Sequence, residues 1–208
     1  MSGDGAARIR IVLADDQALV RGGLAALLAL EPDIEVVAEV GRGDHLLEAV
    51  AEHRPEVCVV DIEMPGGDGI TITARLRQAH PRVRVLIVTT FGRPGYVSRA
   101  LEAGAGGFLV KDTPAAELAE AVRTVHSGGT VVDPDLARES LAAGQDPLTP
   151  REKDVLRHAL TGARVADMAS ALHLSQGTVR NHLSSAIAKT HSSTRAEAAQ
   201  TARDRGWL

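Results

Sequence analysis

Val57-Cys58-Val59-Val60 is an unbroken apolar run, three of its four residues valine, that ends on Asp61 and passes at once into Ile62-Glu63-Met64-Pro65-Gly66-Gly67-Asp68-Gly69. Nothing polar alternates within it, so it reads as a strand covered on both faces, the condition of strands in parallel sheets. Open α/β sheets carry their chemistry beyond the carboxyl ends of such strands. Asp61 stands at that point. Taken alone, one carboxylate after one apolar run is explained equally well as a cap on the following helix.

The neighbouring segments repeat the pattern. Ile9 to Ala14 is apolar but for Arg10 and ends on Asp15 and Asp16. Leu19, Leu24, Leu27 and Leu28 then recur at helical spacing as far as Glu31-Pro32. Glu35 to Val40 reads as a strand, and Asp44 as the N-cap of a helix through Leu46, Leu47 and Val50 to His53. Asp68 opens a helix carrying Ile70, Ile72 and Leu76. Val83 to Val88 is a valine-rich strand ending on Thr89-Thr90, followed by a helix from about Pro94 to Ala103 that stops at Gly104. Phe108-Leu109-Val110 is a short strand ending on Lys111, and Thr113-Pro114 starts a last helix with Pro in the first turn. Five alternations of strand and helix predict a doubly wound parallel sheet. Asp15, Asp16, Asp61, Thr89 and Lys111 then share one sheet edge.

Three carboxylates crowd together only if positive charge joins them. Lys111 supplies one charge, and a hard divalent cation such as Mg²⁺, which prefers carboxylate oxygens, would supply two. This set suits phosphoryl transfer to Asp61, with Lys111 and the metal neutralising the transferring group and Thr89 donating a hydrogen bond to it. The acyl phosphate so formed is a local charge change able to bias a two-state element.

On Ala14-Asp15-Asp16, residues 60–69, Val88-Thr89-Thr90 and Phe108-Leu109-Val110-Lys111, residues 8–127 resemble the receiver domain of two-component response regulators. The resemblance implies a flavodoxin-like, five-stranded doubly wound sheet and phosphorylation of Asp61 by a sensor histidine kinase. It also implies Mg²⁺ held by Asp15, Asp16, Asp61 and the backbone carbonyl of Glu63, with Thr89 and Phe108 as a switch pair whose ring turns inward. Many receivers have Pro after the lysine where this chain has Asp112, the pattern of the branch with LuxR-type tails. Phe91, two residues past Thr89, reads either as a shield against attacking water or as a packing residue.

Residues 128–146 read as a linker: Gly128-Gly129 closes the preceding helix, Leu136 to Ala143 reads as a short helix, and Gln145-Asp146-Pro147 as a hinge. From 147 to 208 the pattern is helical throughout. Leu148-Thr149-Pro150-Arg151-Glu152 is a compact helix start, with Thr149 as N-cap and Glu152 reaching back. Val165, Met168, Ala169 and Leu172 give a second helix. Ser175 caps a third with Val179, Leu183 and Ile187 inward, and Thr194 caps a fourth. The tight His173-Leu174-Ser175 turn suggests helix-turn-helix, whose second helix enters the major groove.

Gln176, Thr178, Arg180, Asn181, Ser184 and Ser185 are then expected to face outward. Arg180 suits guanine and Asn181 adenine, while Thr178 and Lys189 suit phosphates. A solvated helix face is the bland alternative. Residues 148–208 resemble the LuxR-type helix-turn-helix of NarL/FixJ-family regulators, on the helix start above, Thr178-Val179-Arg180-Asn181-His182 and Arg195-Glu197-Ala198. Gly206-Trp207-Leu208, with Gly177-Thr178-Val179-Arg180-Asn181, most resembles the DesR-like branch. By that resemblance the third helix reads promoter DNA and the fourth helps dimerise. Ser184, at a place often basic, and Thr190-His191 depart from the family pattern.

Charge divides the same way. Residues 1–146 hold 14 Lys and Arg against 22 Asp and Glu, and residues 147–208 hold 9 against 5, so a segment of net −8 precedes one of net +4. An acidic domain joined to a polyanion-binding one has this profile. Cys58 is the single cysteine and fits a reducing compartment; no apolar run approaches a membrane span, and the first ten residues lack a signal-peptide core. A cytoplasmic, phosphorylation-activated transcription regulator that homodimerises when phosphorylated is expected, a phosphoacceptor and not an enzyme. One alternative is an Asp-nucleophile phosphatase, since Glu63 follows Asp61 by two, although Asp15-Asp16 and the helical tail have no place in it. The other is a DNA-binding protein whose first domain only dimerises.

Overall fold

The computed structural model describes residues 8–90, 92, 94–143 and 146–208. The chain forms two compact units: residues up to 92 and 97–137 make the first, and 138–208 together with the short stretch before Val97 make the second. Along the chain, β1 (Ile9–Ala14), α1 (Ala18–Leu28), β2 (Ile34–Val40), α2 (Leu46–His53), β3 (Val57–Val60), α3 (Gly69–Ala79), β4 (Arg84–Thr89), α4 (Pro94–Glu102), β5 (Gly107–Val110) and α5 (Ala115–His126) alternate, and β6 (Val131–Val132) and α6 (Pro134–Ala143) follow. The strands lie in the order β2-β1-β3-β4-β5-β6, every neighbouring pair parallel.

Valine and isoleucine dominate the central strands because both faces are covered. Ile11, Leu13, Val57, Val59, Leu86 and Val88 meet Leu118, Ala119, Val122 and Val125 of α5 in one buried cluster. The residues between them, Val12, Cys58, Val60, Ile87 and Phe108, are equally buried. The chain passes from β1 outward to β2 and then returns across to β3, so the direction of winding reverses between β1 and β3. That reversal opens the crevice in which such folds bind ligands.

Four local expectations are corrected. Asp44 does not cap α2. It lies in a 3-10 turn (Gly43–His45), and its carboxylate takes a forked pair of hydrogen bonds from Arg42, at 3.0 and 2.9 Å. Pro114 is the N-cap of α5, one position before the first turn. The sheet has six strands and not five, because Val131 and Val132 pair with Gly107 and Phe108 inside the stretch read as linker. Asp146 is no free hinge: it accepts a hydrogen bond from the Leu148 N–H at 2.9 Å and pairs with Lys153. Gln145 and Phe91 lie outside the described residues.

The second unit contains α7 (Pro150–Leu160), α8 (Val165–Ala171), α9 (Gln176–Lys189) and α10 (Arg195–Asp204). Thr149 and Glu152 form a complete capping box on α7, and Ser175 and Thr194 cap α9 and α10 through side-chain oxygens, as read from the sequence. Val155, Leu156, Met168, Val179, Leu183, Ala186, Ala198, Ala202 and Trp207 make its core. Small alanines on α10 let it pack close, and Trp207, beyond its end, adds a large aromatic side chain to this core.

Candidate functional site

Register brings the acidic residues together. Ala14 of β1 stands beside Val60 of β3, and the Asp61 N–H donates to the Ala14 carbonyl at 2.8 Å, so Asp15 and Asp61 leave the sheet side by side. Each is only 4% exposed. Thr89 pairs with Val110, and the Lys111 N–H donates to the Thr89 carbonyl at 2.9 Å. Lys111 thereby enters from the other side, and its Nζ lies 2.7 Å from Oδ2 of Asp15 and 2.7 Å from Oδ2 of Asp61. The remaining oxygens are held locally: Oδ1 of Asp61 accepts from the Ile62 N–H at 2.7 Å, and Oδ1 of Asp15 from the Gln17 N–H at 2.9 Å. Asp16 is exposed, and its carboxylate completes a trio whose ligand oxygens lie within 4.8 Å of one another.

Burial pushes the Asp61 carboxyl above the usual aspartate range. The charge of Asp15 adds to that, while Lys111 and the Ile62 N–H oppose it. Burial would lower the Lys111 ammonium, but its hydrogen bonds to Asp15 and Asp61 outweigh the loss and raise it, so it is charged at neutral pH. One cation thus stabilises two buried carboxylates, and a hard divalent cation is compatible with the trio.

Asp61 is not the cap of the next helix. That part belongs to Asp68, whose Oδ1 accepts from the Ile70 N–H at 3.1 Å and whose Oδ2 takes Arg99 at 3.3 Å. Between the two, the chain turns through Gly66 at φ +83° and closes so tightly that a Cβ on Gly69 would stand 2.0 Å from the Asp61 carbonyl. Glu63 lies in this loop with its side chain exposed, Thr89 is buried at the end of β4, and the Phe108 ring is fully buried.

In the second unit, α9 presents Gln176, Arg180, Asn181 and Ser184 to solvent, while Thr178 is half-buried and shares a hydrogen bond with the cap Ser175 at 2.9 Å. Ser185 does not face outward. Its hydroxyl donates to Oε1 of Glu152 at 2.6 Å, and Lys189 donates to Oε2 at 2.8 Å. The Lys189 ammonium, expected at a phosphate, thus pairs with a carboxylate of α7 while its side chain stays about a third exposed, at 34%. Glu152 is 4% exposed and also accepts from the Thr149 N–H at 2.7 Å. Sequence reasoning saw only that last bond. Nothing in the sequence spacing relates Glu152 to residues 33 and 37 positions away.

Residues 11–123 match the response regulator receiver domain, and residues 146–202 match the luxR family of bacterial regulatory proteins. The chain is 40% identical over 200 residues to the transcriptional regulatory protein YvfU of Bacillus subtilis (strain 168), covering 96% of this chain and 100% of that one. It is a response regulator with a LuxR-type DNA-binding domain. DesR of the same organism is also 40% identical over 200 residues, covering 96% of this response regulator and 99% of its own length. The crystal structure of the response regulator ChrA from a heme-sensing two-component system matches with TM-score 0.58 and 34% identity, covering 97% of this chain and 99% of that one. The receiver match takes in Asp15, Asp16, Asp61, Thr89 and Lys111, and the luxR match takes in α9. Joined to that DNA-binding unit, the acidic site belongs to a transcription regulator and not to a phosphatase. Among the described residues, no helix is long and apolar enough to cross a membrane.

Proposed function

We propose that this response regulator accepts a phosphoryl group on Asp61 from a sensor histidine kinase and in response binds promoter DNA as a homodimer. The observation that carries the reading is Lys111 Nζ at 2.7 Å from both Asp15 and Asp61 within the acidic trio. Residues 8–127 serve as the phosphoacceptor domain and 147–208 as the DNA-binding domain, with 128–146 joining them. Asp15, Asp16, Asp61 and the Glu63 carbonyl would hold Mg²⁺. All are hard oxygen donors, and the spread of the three carboxylates is close to the roughly 4 Å width of the oxygen shell around that ion. When bound, Mg²⁺ would neutralise charge on the phosphoryl oxygens.

The chain's own residues do the rest. A carboxylate oxygen of Asp61 attacks phosphorus, the N–P bond of the donor phosphohistidine breaks, and an acyl phosphate remains on Asp61. Lys111 balances the added charge, and the Thr89 hydroxyl stands at the neighbouring strand end to hydrogen-bond a phosphoryl oxygen. Thr89 and Phe108 form the switch pair. Leu19 and Leu27 of α1, with Leu30 just beyond it, are exposed and provide an apolar surface for pairing through the first and last receiver helices. On DNA, Arg180 and Asn181 read base edges while Gln176, Thr178 and Ser184 support them. Mg²⁺ with acetyl phosphate should shift sedimentation from monomer to dimer and tighten DNA binding, and Asp61→Asn should do neither. Equal DNA affinity of both proteins with and without acetyl phosphate would support a constitutive dimerisation module instead.

A further inference from the structure

Arg21 of α1 takes no part in the phosphoryl chemistry, yet its guanidinium ends on the backbone that carries the acidic pair. Nη1 donates to the Asp15 carbonyl at 2.5 Å. Nε is buried, makes no hydrogen bond, and lies 3.5 Å from Oε2 of Glu39 on β2, the strand beside β1. Gly41 leaves room for this: a Cβ there would stand 3.2 Å from Nη1 and 3.9 Å from the Asp15 carbonyl oxygen. Asp15 is fixed at its other polar atoms too, by the Val40 carbonyl at 3.0 Å, the Gln17 N–H and Lys111. The Asp15 carbonyl and the Asp16 N–H belong to one rigid peptide plane. Whatever holds that carbonyl sets the direction in which the exposed Asp16 leaves the chain.

We propose that Arg21 is a positioning residue for the divalent-cation site, orienting the Asp15-Asp16 peptide so that both carboxylates converge with Asp61. The proposal rests on the reading of the trio as a cation site. It also has a sign that separates it from simpler roles. Arg21 is a cation, and a cation near the trio opposes a second one through space. Loss of Arg21 by that effect alone would tighten metal binding, whereas loss of orientation weakens it. Residues that orient metal ligands from behind typically change affinity about 10- to 100-fold when removed.

The test is Mn²⁺ binding to the full chain, read from the free-ion paramagnetic resonance signal, together with urea stability in EDTA. Arg21→Met should raise the Mn²⁺ Kd at least about tenfold. Its labelling by acetyl phosphate should slow at low Mg²⁺ and recover at saturating Mg²⁺. Gly41→Ala, which keeps the charge of Arg21 but crowds Nη1, should weaken Mn²⁺ binding in the same direction, and it carries the test if Arg21→Met does not fold. Unchanged or tighter Mn²⁺ binding in a folded variant overturns the proposal, with lowered urea stability then marking Arg21 as a purely structural tie. Failure of the unaltered protein to bind Mn²⁺ would instead overturn the cation-site reading on which it rests.

Discussion

Glu152→Gln removes a charge from the interior of the DNA-binding unit with almost no change of shape. Burial would raise the Glu152 carboxyl, but hydrogen bonds from Lys189, Ser185 and the Thr149 N–H outweigh it and hold the group down at about 2, against an ordinary 4.5. Glutamine resembles the protonated acid, so the gap between those values measures what the substitution loses, about 3 kcal/mol. For a domain of 60–100 residues that corresponds to a thermal midpoint lower by roughly 12–24 °C. Trp207, the single tryptophan, is buried in this unit's core, so its fluorescence in the full chain follows this unit. The charge contribution is fully present above about pH 4.5 and is lost as pH falls towards about 2. The two proteins should therefore differ most near neutral pH and converge in acid. Equal midpoints at pH 7, or a gap that does not close in acid, would refute the argument.

At Asp61 the shift has the opposite sign. Its folded-state carboxyl is raised, so the folded protein favours the proton, and the stability assigned to this group falls as pH rises. Asp61→Asn should then match or exceed the wild-type urea midpoint in metal-free buffer, read by far-ultraviolet circular dichroism; a lower midpoint would contradict this. Arg180→Ala should cost about 1–3 kcal/mol on a duplex selected from random DNA, with a smaller loss on non-selected DNA. Equal losses by fluorescence anisotropy would mark a phosphate contact. Lys189→Met should lower the Trp207 midpoint while leaving the salt dependence of DNA binding unchanged, since its ammonium is held by Glu152. A phosphate contact there would instead reduce the slope by about one ion.

The acidic site was legible because each of its residues terminates an apolar run, and a parallel sheet aligns such ends. Asp15, Asp61, Thr89 and Lys111 needed no long-range information beyond strand order. β6 was not legible because two valines carry no period, and only their pairing with Gly107 and Phe108 makes them a strand. Asp44 looked like a helix cap by residue type, but Arg42 two positions earlier is its partner. The fully buried stripe of α9 runs through Val179, Leu183 and Ala186 to the C-cap Thr190, with Ile187 packed at its edge, partly buried against the same core. That turns Ser185 and Lys189 onto the flank facing α7. Val179, Leu183 and Ile187 were legible from their spacing, while the small buried Ala186 was not. Arg21 was silent for a related reason: its partner is a backbone carbonyl, which no side-chain pattern announces.

The acyl phosphate itself is the most direct measurement. After incubation with Mg²⁺ and acetyl phosphate, borohydride reduction should convert the phosphorylated aspartate to homoserine, located by tandem mass spectrometry. The account predicts homoserine at residue 61 alone, and none when Mg²⁺ is chelated. Homoserine at another aspartate, or labelling of residue 61 that persists in EDTA, would contradict it.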